Sequence, residues 1–135
     1  MITSKITYLG SLRTEATHLK SGKTILTDAP TDNHGKGEAF SPTDLVATAL
    51  ASCMVSILGI VANTSNINLG NIEAEITKIM SANPRKISEI IINISFINQT
   101  YTDKEKKVLE NAARTCPVAL SLNPEIKQTI SFNFK

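Results

Sequence analysis

The sequence predicts an α+β fold in which antiparallel sheets wrap around a long central helix, and three observations predict it. Stretches alternating apolar with polar residues occupy both ends of the chain; a charge-free run from Leu45 to Ala62 separates them; a second helical pattern opens at Thr102 with a capping box. The 135 residues and 41% hydrophobic content suit a single domain spanning 1–135. A chain of that size buries roughly two-thirds of the surface its unfolded form exposes.

Alternation at Ile2, Ile6 and Tyr8, then Leu12, Thr14 and Ala16, then Ile25 and Thr27 predicts three strands in an antiparallel meander, broken at Gly10 and at Ser21-Gly22. From Asp28 to Ser41 the chain is rich in turn formers and longer than a plain connection needs, as functional loops often are. Ser41 then reads as an N-cap, Pro42 as the first helical residue and Asp44 as a favourable charge beside exposed amides, which predicts a helix from there to about Ala62. Its length approaches a bilayer span. It nevertheless carries Thr48, Ser52, Ser56 and Gly59, and lacks flanking Lys/Arg and interfacial Trp or Tyr, so the expectation is a helix buried in protein and no membrane partner. Because it is apolar nearly all round, one small sheet cannot cover it.

Two long strands are expected at about 72–80 and 87–97, joined through Asn83-Pro84, with Ile90, Ile92, Ile94 and Phe96 marking a buried face. Thr102-Asp103-Lys104-Glu105 starts another helix, whose stripe of Val108, Leu109, Ala112 and Ala113 leads to Cys116. Pro117 disfavours a helical Cys116 and supplies no amide hydrogen, so that helix should break at Cys116 and restart as a short turn. Ile130, Phe132 and Phe134 alternate with polar residues in a last strand.

A net charge of +2, from 14 basic and 12 acidic residues spread along the chain, leaves no electrostatic footprint for nucleic acid. Aromatics make up only 4% with no Trp, which also speaks against an RNA-stacking surface. Gly35-Lys36-Gly37 lacks the spacing of a phosphate loop and reads as a solvated turn. The opening residues alternate rather than forming an apolar signal segment, so the expected location is the cytoplasm.

In a reducing compartment, Cys53 and Cys116 are either small core residues or chemistry. There is no C-x-x-C, and His18, His34, Cys53 and Cys116 lack metal-site spacing, so a metal site is not expected. A reactive thiol at Cys53, among Ala49, Leu50, Ser56 and Ile57, needs a cation, since burial favours the neutral form. Lowering its pKa by two units takes about 2.7 kcal/mol, within reach of an Arg contact. Arginine occurs only at Arg13, Arg85 and Arg114. Arg13, on an early strand, is the first choice and Arg114 the reserve, with solvent-exposed charge as the plain alternative for both.

The segments from Phe40 through Ser41-Pro42-Thr43-Asp44 to Ser52-Cys53, and Ala113-Arg114-Thr115-Cys116-Pro117-Val118, resemble the two cysteine motifs of the OsmC/Ohr family of organic hydroperoxide reductases. The likeness runs the length of the chain. It implies an OsmC-like intertwined homodimer with active sites at the subunit interface. It also implies that Cys53 attacks an organic hydroperoxide and becomes a sulfenic acid, that Cys116 resolves it as a disulfide, and that an external dithiol, in relatives a lipoylated protein, restores the thiols with no bound cofactor. By the same resemblance Arg13 stabilises the thiolate. The sequence departs from the family at Thr43, where the best-known members carry the glutamate that holds this arginine. Glu38, Asp44 or a different arrangement then takes its place. The competing reading is a non-catalytic protein of the same fold that holds a small apolar ligand at the dimer interface.

Overall fold

The structure is a computed structural model that describes residues 1–97 and 99–134. The chain divides into two compact units, Met1–Val46 and Ala47–Lys135.

The first unit is an antiparallel meander of β1 (Ser4–Gly10), β2 (Arg13–His18) and β3 (Thr24–Asp28), in the order β1-β2-β3. The expected strands are present, with two differences at their ends. Leu12 lies in the β1–β2 turn rather than in a strand, at φ +61°, next to Ser11 at φ +53°. Asp28, which composition places in the loop, is the last residue of β3 and sits opposite Arg13. The segment after it folds back on the strand end. Gly35 N–H and Gly37 N–H donate to the carbonyls of Pro30 and Ala29, at 2.9 and 3.2 Å, and Asp28 N–H donates to Phe40 O at 3.1 Å. Gly35 is required by packing: a Cβ there would stand 1.7 Å from the Ala29 carbonyl oxygen. Gly37 is required by its backbone, at φ +62°.

Helix α1 (Pro42–Thr64) begins in the first unit and supplies the core of the second. Its start is a reciprocal cap: Asp44 N–H donates to Ser41 Oγ and Ser41 N–H to Asp44 Oδ2, each at 3.0 Å, with Pro42 at the first helical position. Ala47, Leu50, Ala51, Met54, Leu58 and Ala62 recur at three- and four-residue intervals and form its buried stripe. α1 is long and apolar enough to cross a membrane by length and composition alone. That stripe is instead packed in one core with Ile90, Ile92, Ile94, Phe96, Leu109, Ala113 and Cys116. Val46 and Ile60, off the stripe, remain exposed.

The rest of the second unit is the hairpin of β4 (Asn71–Ser81) and β5 (Lys86–Ile97), then α2 (Asp103–Ala113), α3 (Pro117–Ser121) and β6 (Lys127–Phe134). Ile90, Ile92, Ile94 and Phe96 are completely buried, as period-two alternation requires of one sheet face. Burying each contributes about 1.5–3 kcal/mol, so Ile92→Ala would cost about 2–5 kcal/mol. The capping box of α2 forms as its sequence predicts: Glu105 N–H donates to Thr102 Oγ1 at 3.1 Å and Thr102 N–H to Glu105 Oε1 at 2.9 Å. β6 departs from the all-antiparallel expectation. It pairs with β5 in parallel, from Glu89 opposite Lys127 to Phe96 opposite Phe134, because α2 and α3 carry the chain back before it re-enters the sheet. The register stacks the Phe96 and Phe134 rings at 4.4 Å between centroids, with Tyr101 edge-on to Phe96 at 5.5 Å.

Candidate functional site

In the second unit the site is a pair of free thiols. Cys53 comes from the middle of α1, beside the buried stripe, and is half-buried. Cys116 comes from the break between α2 and α3 and is completely buried. The break is local sequence logic. Pro117 forces the residue before it out of the helical region, and Cys116 is extended, at φ −69° and ψ 146°. Cys116 thereby becomes the N-cap of α3, its Sγ accepting the Ala119 amide hydrogen at 3.3 Å.

Burial is the main influence on Cys116 and pushes its thiol up from the ordinary range, partly offset by the Ala119 and Val118 amides. Cys53 adds to the upward push, through a side-chain hydrogen bond and through the negative charge it carries when ionised. Burial therefore favours the neutral form of Cys116. The pair is asymmetric, one residue half-buried in the middle of a long helix and the other completely buried at a helix start.

In the first unit the charged residues converge on the end of the β2–β3 ladder. Arg13 Nε donates to Asp28 Oδ1 at 2.7 Å and Nη2 to Oδ2 at 2.8 Å, a two-pronged pair between cross-strand neighbours. Glu38 N–H also donates to Asp28 Oδ2, at 3.1 Å, and Glu38 Oε1 lies 3.5 Å from Arg13 Nη2. The Arg13 hydrogen bond holds the Asp28 carboxyl below the usual carboxylate range against the opposing effect of burial, helped by the charges of Arg13 and Lys36 and by the Glu38 amide. The same hydrogen bond raises Arg13.

Of the residues singled out in the sequence, Cys53 and Cys116 are brought together, and Glu38 is brought to Arg13. Asp44 spends a carboxylate oxygen on the Ser41 amide at the start of α1. Arg114 closes α2, exposed, with its guanidinium 5.6 Å from the centre of the Phe132 ring. The residue that sequence reasoning missed is Asp28. Counting outward both ways from the Lys20-Ser21 tip of the β2–β3 hairpin would have found it, since that count sets Asp28 opposite Arg13. Among the described residues, no three His, Cys, Asp or Glu side chains gather where they could hold a metal ion. An open groove of about 600 Å³ runs along the first unit, lined by Ile25, Leu26, Ala39 and Phe40, with Glu38 and Asp44.

An α+β chain whose long apolar helix sets one cysteine against a second, buried one defines a two-thiol protein. Residues 35–131 match the model of the family described as OsmC-like protein, and the chain belongs to that family. A solved Psychrobacter arcticus 273-4 structure, provisionally described as an osmotic stress induced and detoxification response protein, is 55% identical, covering 98% of this chain and 96% of that one, with a TM-score of 0.94. The organic hydroperoxide resistance protein OsmC of Legionella pneumophila is 17% identical, with 98% of each chain covered and a TM-score of 0.74. An OsmC-like protein of Mycoplasma pneumoniae is 18% identical, covering 98% and 97%, with a TM-score of 0.78. These last two establish the common fold. No curated protein matches the chain significantly.

Proposed function

We propose that this protein is a thiol-dependent peroxidase for organic hydroperoxides, working as a homodimer in the cytoplasm. The observation that carries the reading is the placement of two free thiols in one core, Cys53 of α1 packed against the cluster that buries Cys116 and close enough to interact with it. The Legionella pneumophila relative, described as an organic hydroperoxide resistance protein, points the same way.

The Cys53 thiolate attacks the distal peroxide oxygen; the O–O bond breaks, the alkoxide leaves as the alcohol after taking a proton, and Cys53 becomes a sulfenic acid. Cys116 then attacks that sulfur, a disulfide forms and the sulfenic oxygen departs as water. An external dithiol, such as a lipoylated protein, reduces the disulfide by two thiol–disulfide exchanges. Arg13 serves the thiolate and the peroxide oxygens, a role that rests on the family resemblance and on what a guanidinium provides: fixed donors and a permanent charge.

Mass spectrometry of the reduced protein after one equivalent of an organic hydroperoxide tests this. The expected product has lost two hydrogens, mapped to a Cys53–Cys116 link, and Cys53→Ser abolishes dithiol-dependent turnover. Free thiols after treatment would overturn the reading and favour a binding protein of the same fold, which would keep its ligand in Cys53→Ala.

A further inference from the structure

The carboxylate that takes two hydrogen bonds from Arg13 comes from β3. Asp28 is wholly buried, and its two oxygens take Nε and Nη2 of the guanidinium at 2.7 and 2.8 Å. Its own position is fixed independently of Arg13. Its N–H is bound to Phe40 O, the Glu38 N–H is bound to its Oδ2, and the Ala29–Phe40 loop is folded back across it around Gly35 and Gly37. Thr43, which has no carboxylate to offer, shares a hydrogen bond between hydroxyls with Ser41 at 3.2 Å. Glu38 does reach Arg13, but at 3.5 Å and with a side chain 64% exposed, where solvent screens an ion pair and chain entropy opposes it. Asp28 has the geometry, the burial and the anchoring that Glu38 lacks.

Binding through Nε and Nη2 fixes the guanidinium plane. Among the described residues Nη1 has no hydrogen-bond or ion-pair partner, while the Arg13 side chain keeps 26% of its surface exposed. The arginine is thus clamped along one edge, with donors left on the other. We propose that Asp28 is the positioning residue of Arg13, the β3 carboxylate that orients its free edge for the chemistry at Cys53; the proposal rests on the peroxidase reading above.

The test is a double-mutant cycle on the full-length reduced protein with an organic hydroperoxide and a dithiol, together with the pH profile of Cys53 alkylation read on its peptide. Asp28→Asn, nearly isosteric but uncharged, should lower kcat/KM about 100-fold, the effect of misplacing an oriented group, and move the Cys53 alkylation midpoint to higher pH. Asp28→Glu should recover part of the rate, Glu38→Gln should lose less than Asp28→Asn, and Asp28→Asn added to Arg13→Ala should bring no further loss. A merely structural Asp28 would lower thermal stability yet leave kcat/KM per folded molecule and the alkylation profile unchanged. That result, or additive losses in the cycle, or a larger loss from Glu38→Gln, overturns the proposal. If Asp28→Asn does not fold, Asp28→Glu decides, because wild-type kinetics and a wild-type alkylation profile in that variant would overturn it too. If the wild type consumes no hydroperoxide, the peroxidase reading falls, and the alkylation profiles still decide Asp28.

Discussion

The sulfur of Cys116 accepts the amide hydrogen of Ala119 at 3.3 Å, so one thiol both caps α3 and faces Cys53. Removing it therefore has two separable effects. Cys116→Ala deprives the Ala119 amide of its acceptor and opens a small cavity at a completely buried site, at a cost of about 1–2 kcal/mol. Cys116→Ser restores an acceptor at the cap and should be closer to wild type in urea unfolding. Equal losses in the two variants would show that the cap contributes nothing. With hydroperoxide, neither variant can close the disulfide, and Cys53 should accumulate as sulfenic or over-oxidised acid, seen as added oxygen on its peptide.

Disulfide closure should accelerate with pH. Burial holds the Cys116 thiol protonated above the ordinary range, and only its thiolate attacks the Cys53 sulfenic sulfur. The contribution of the Cys53 charge disappears once Cys53 is oxidised, whereas the larger contribution of burial stays. The quenched-flow closure rate should thus still be rising above about pH 9.5, where an ordinary thiol near 8.5 has approached its plateau. A rate already flat from about pH 7 would mean that Cys116 ionises easily.

Acid should weaken the first unit through Asp28. Its carboxyl titrates below the usual range when folded, so the native state binds fewer protons than the unfolded chain as pH drops. The stabilisation is complete above about pH 4, the ordinary carboxylate value, and is lost as pH falls through the folded value. Arg13, Lys36 and the Glu38 amide are the groups that oppose its protonation. Unfolding followed at stepped acid pH should show this dependence in the wild type and a flatter one in Asp28→Asn. Identical slopes would remove Asp28 from the account.

The Ala29–Phe40 loop should not tolerate Gly35→Ala. The new Cβ would meet the Ala29 carbonyl oxygen at 1.7 Å, a backbone atom that moves only with the loop. Loss of the hydrogen bonds that Gly35 and Gly37 N–H donate to the Pro30 and Ala29 carbonyls would follow, and with them the cover over Asp28. Limited proteolysis should cut the variant within the loop well before the wild type, and unaltered resistance would contradict this packing.

What the sequence revealed and what it hid divide along the range of the interactions. The Thr102 capping box, the Ser41-Pro42 helix start and the break at Cys116-Pro117 each depend on residues within four positions of one another, and each lies where its motif stands. The direction of β6 does not, because the alternation of Ile130, Phe132 and Phe134 is the same in a parallel and an antiparallel strand. Asp28 was hidden for another reason. Ala29, Pro30 and the polar residues after it carry a turn signal strong enough to absorb the last residue of the strand, and only hairpin register exposes it as the partner of Arg13. Among the carboxylates near Thr43 only the outer contact of Glu38 could be found, since the place of the two-pronged partner is set by strand pairing across to β2 rather than by distance from Cys53 along the chain.

The proposed homodimer can be tested from the surface that each unit leaves uncovered. Ile6, Ala16 and Ile25 lie side by side across β1, β2 and β3, and Tyr8, two residues on, shares that face. Ile6, Tyr8 and Ile25 are 58%, 64% and 50% exposed, and on α1 Ile60 is 58% exposed. Apolar exposure of this kind on each unit marks an interface, and a second copy of the chain is the partner the family resemblance implies. The wild type should sediment as a dimer at micromolar concentration. Ile25→Glu and Ile60→Glu each place a charge where apolar contact is expected and should weaken the dimer at least 10-fold, while neither removes a buried side chain from the protomer. A monomeric wild type, or dimers indifferent to both charges, would leave these faces without that role.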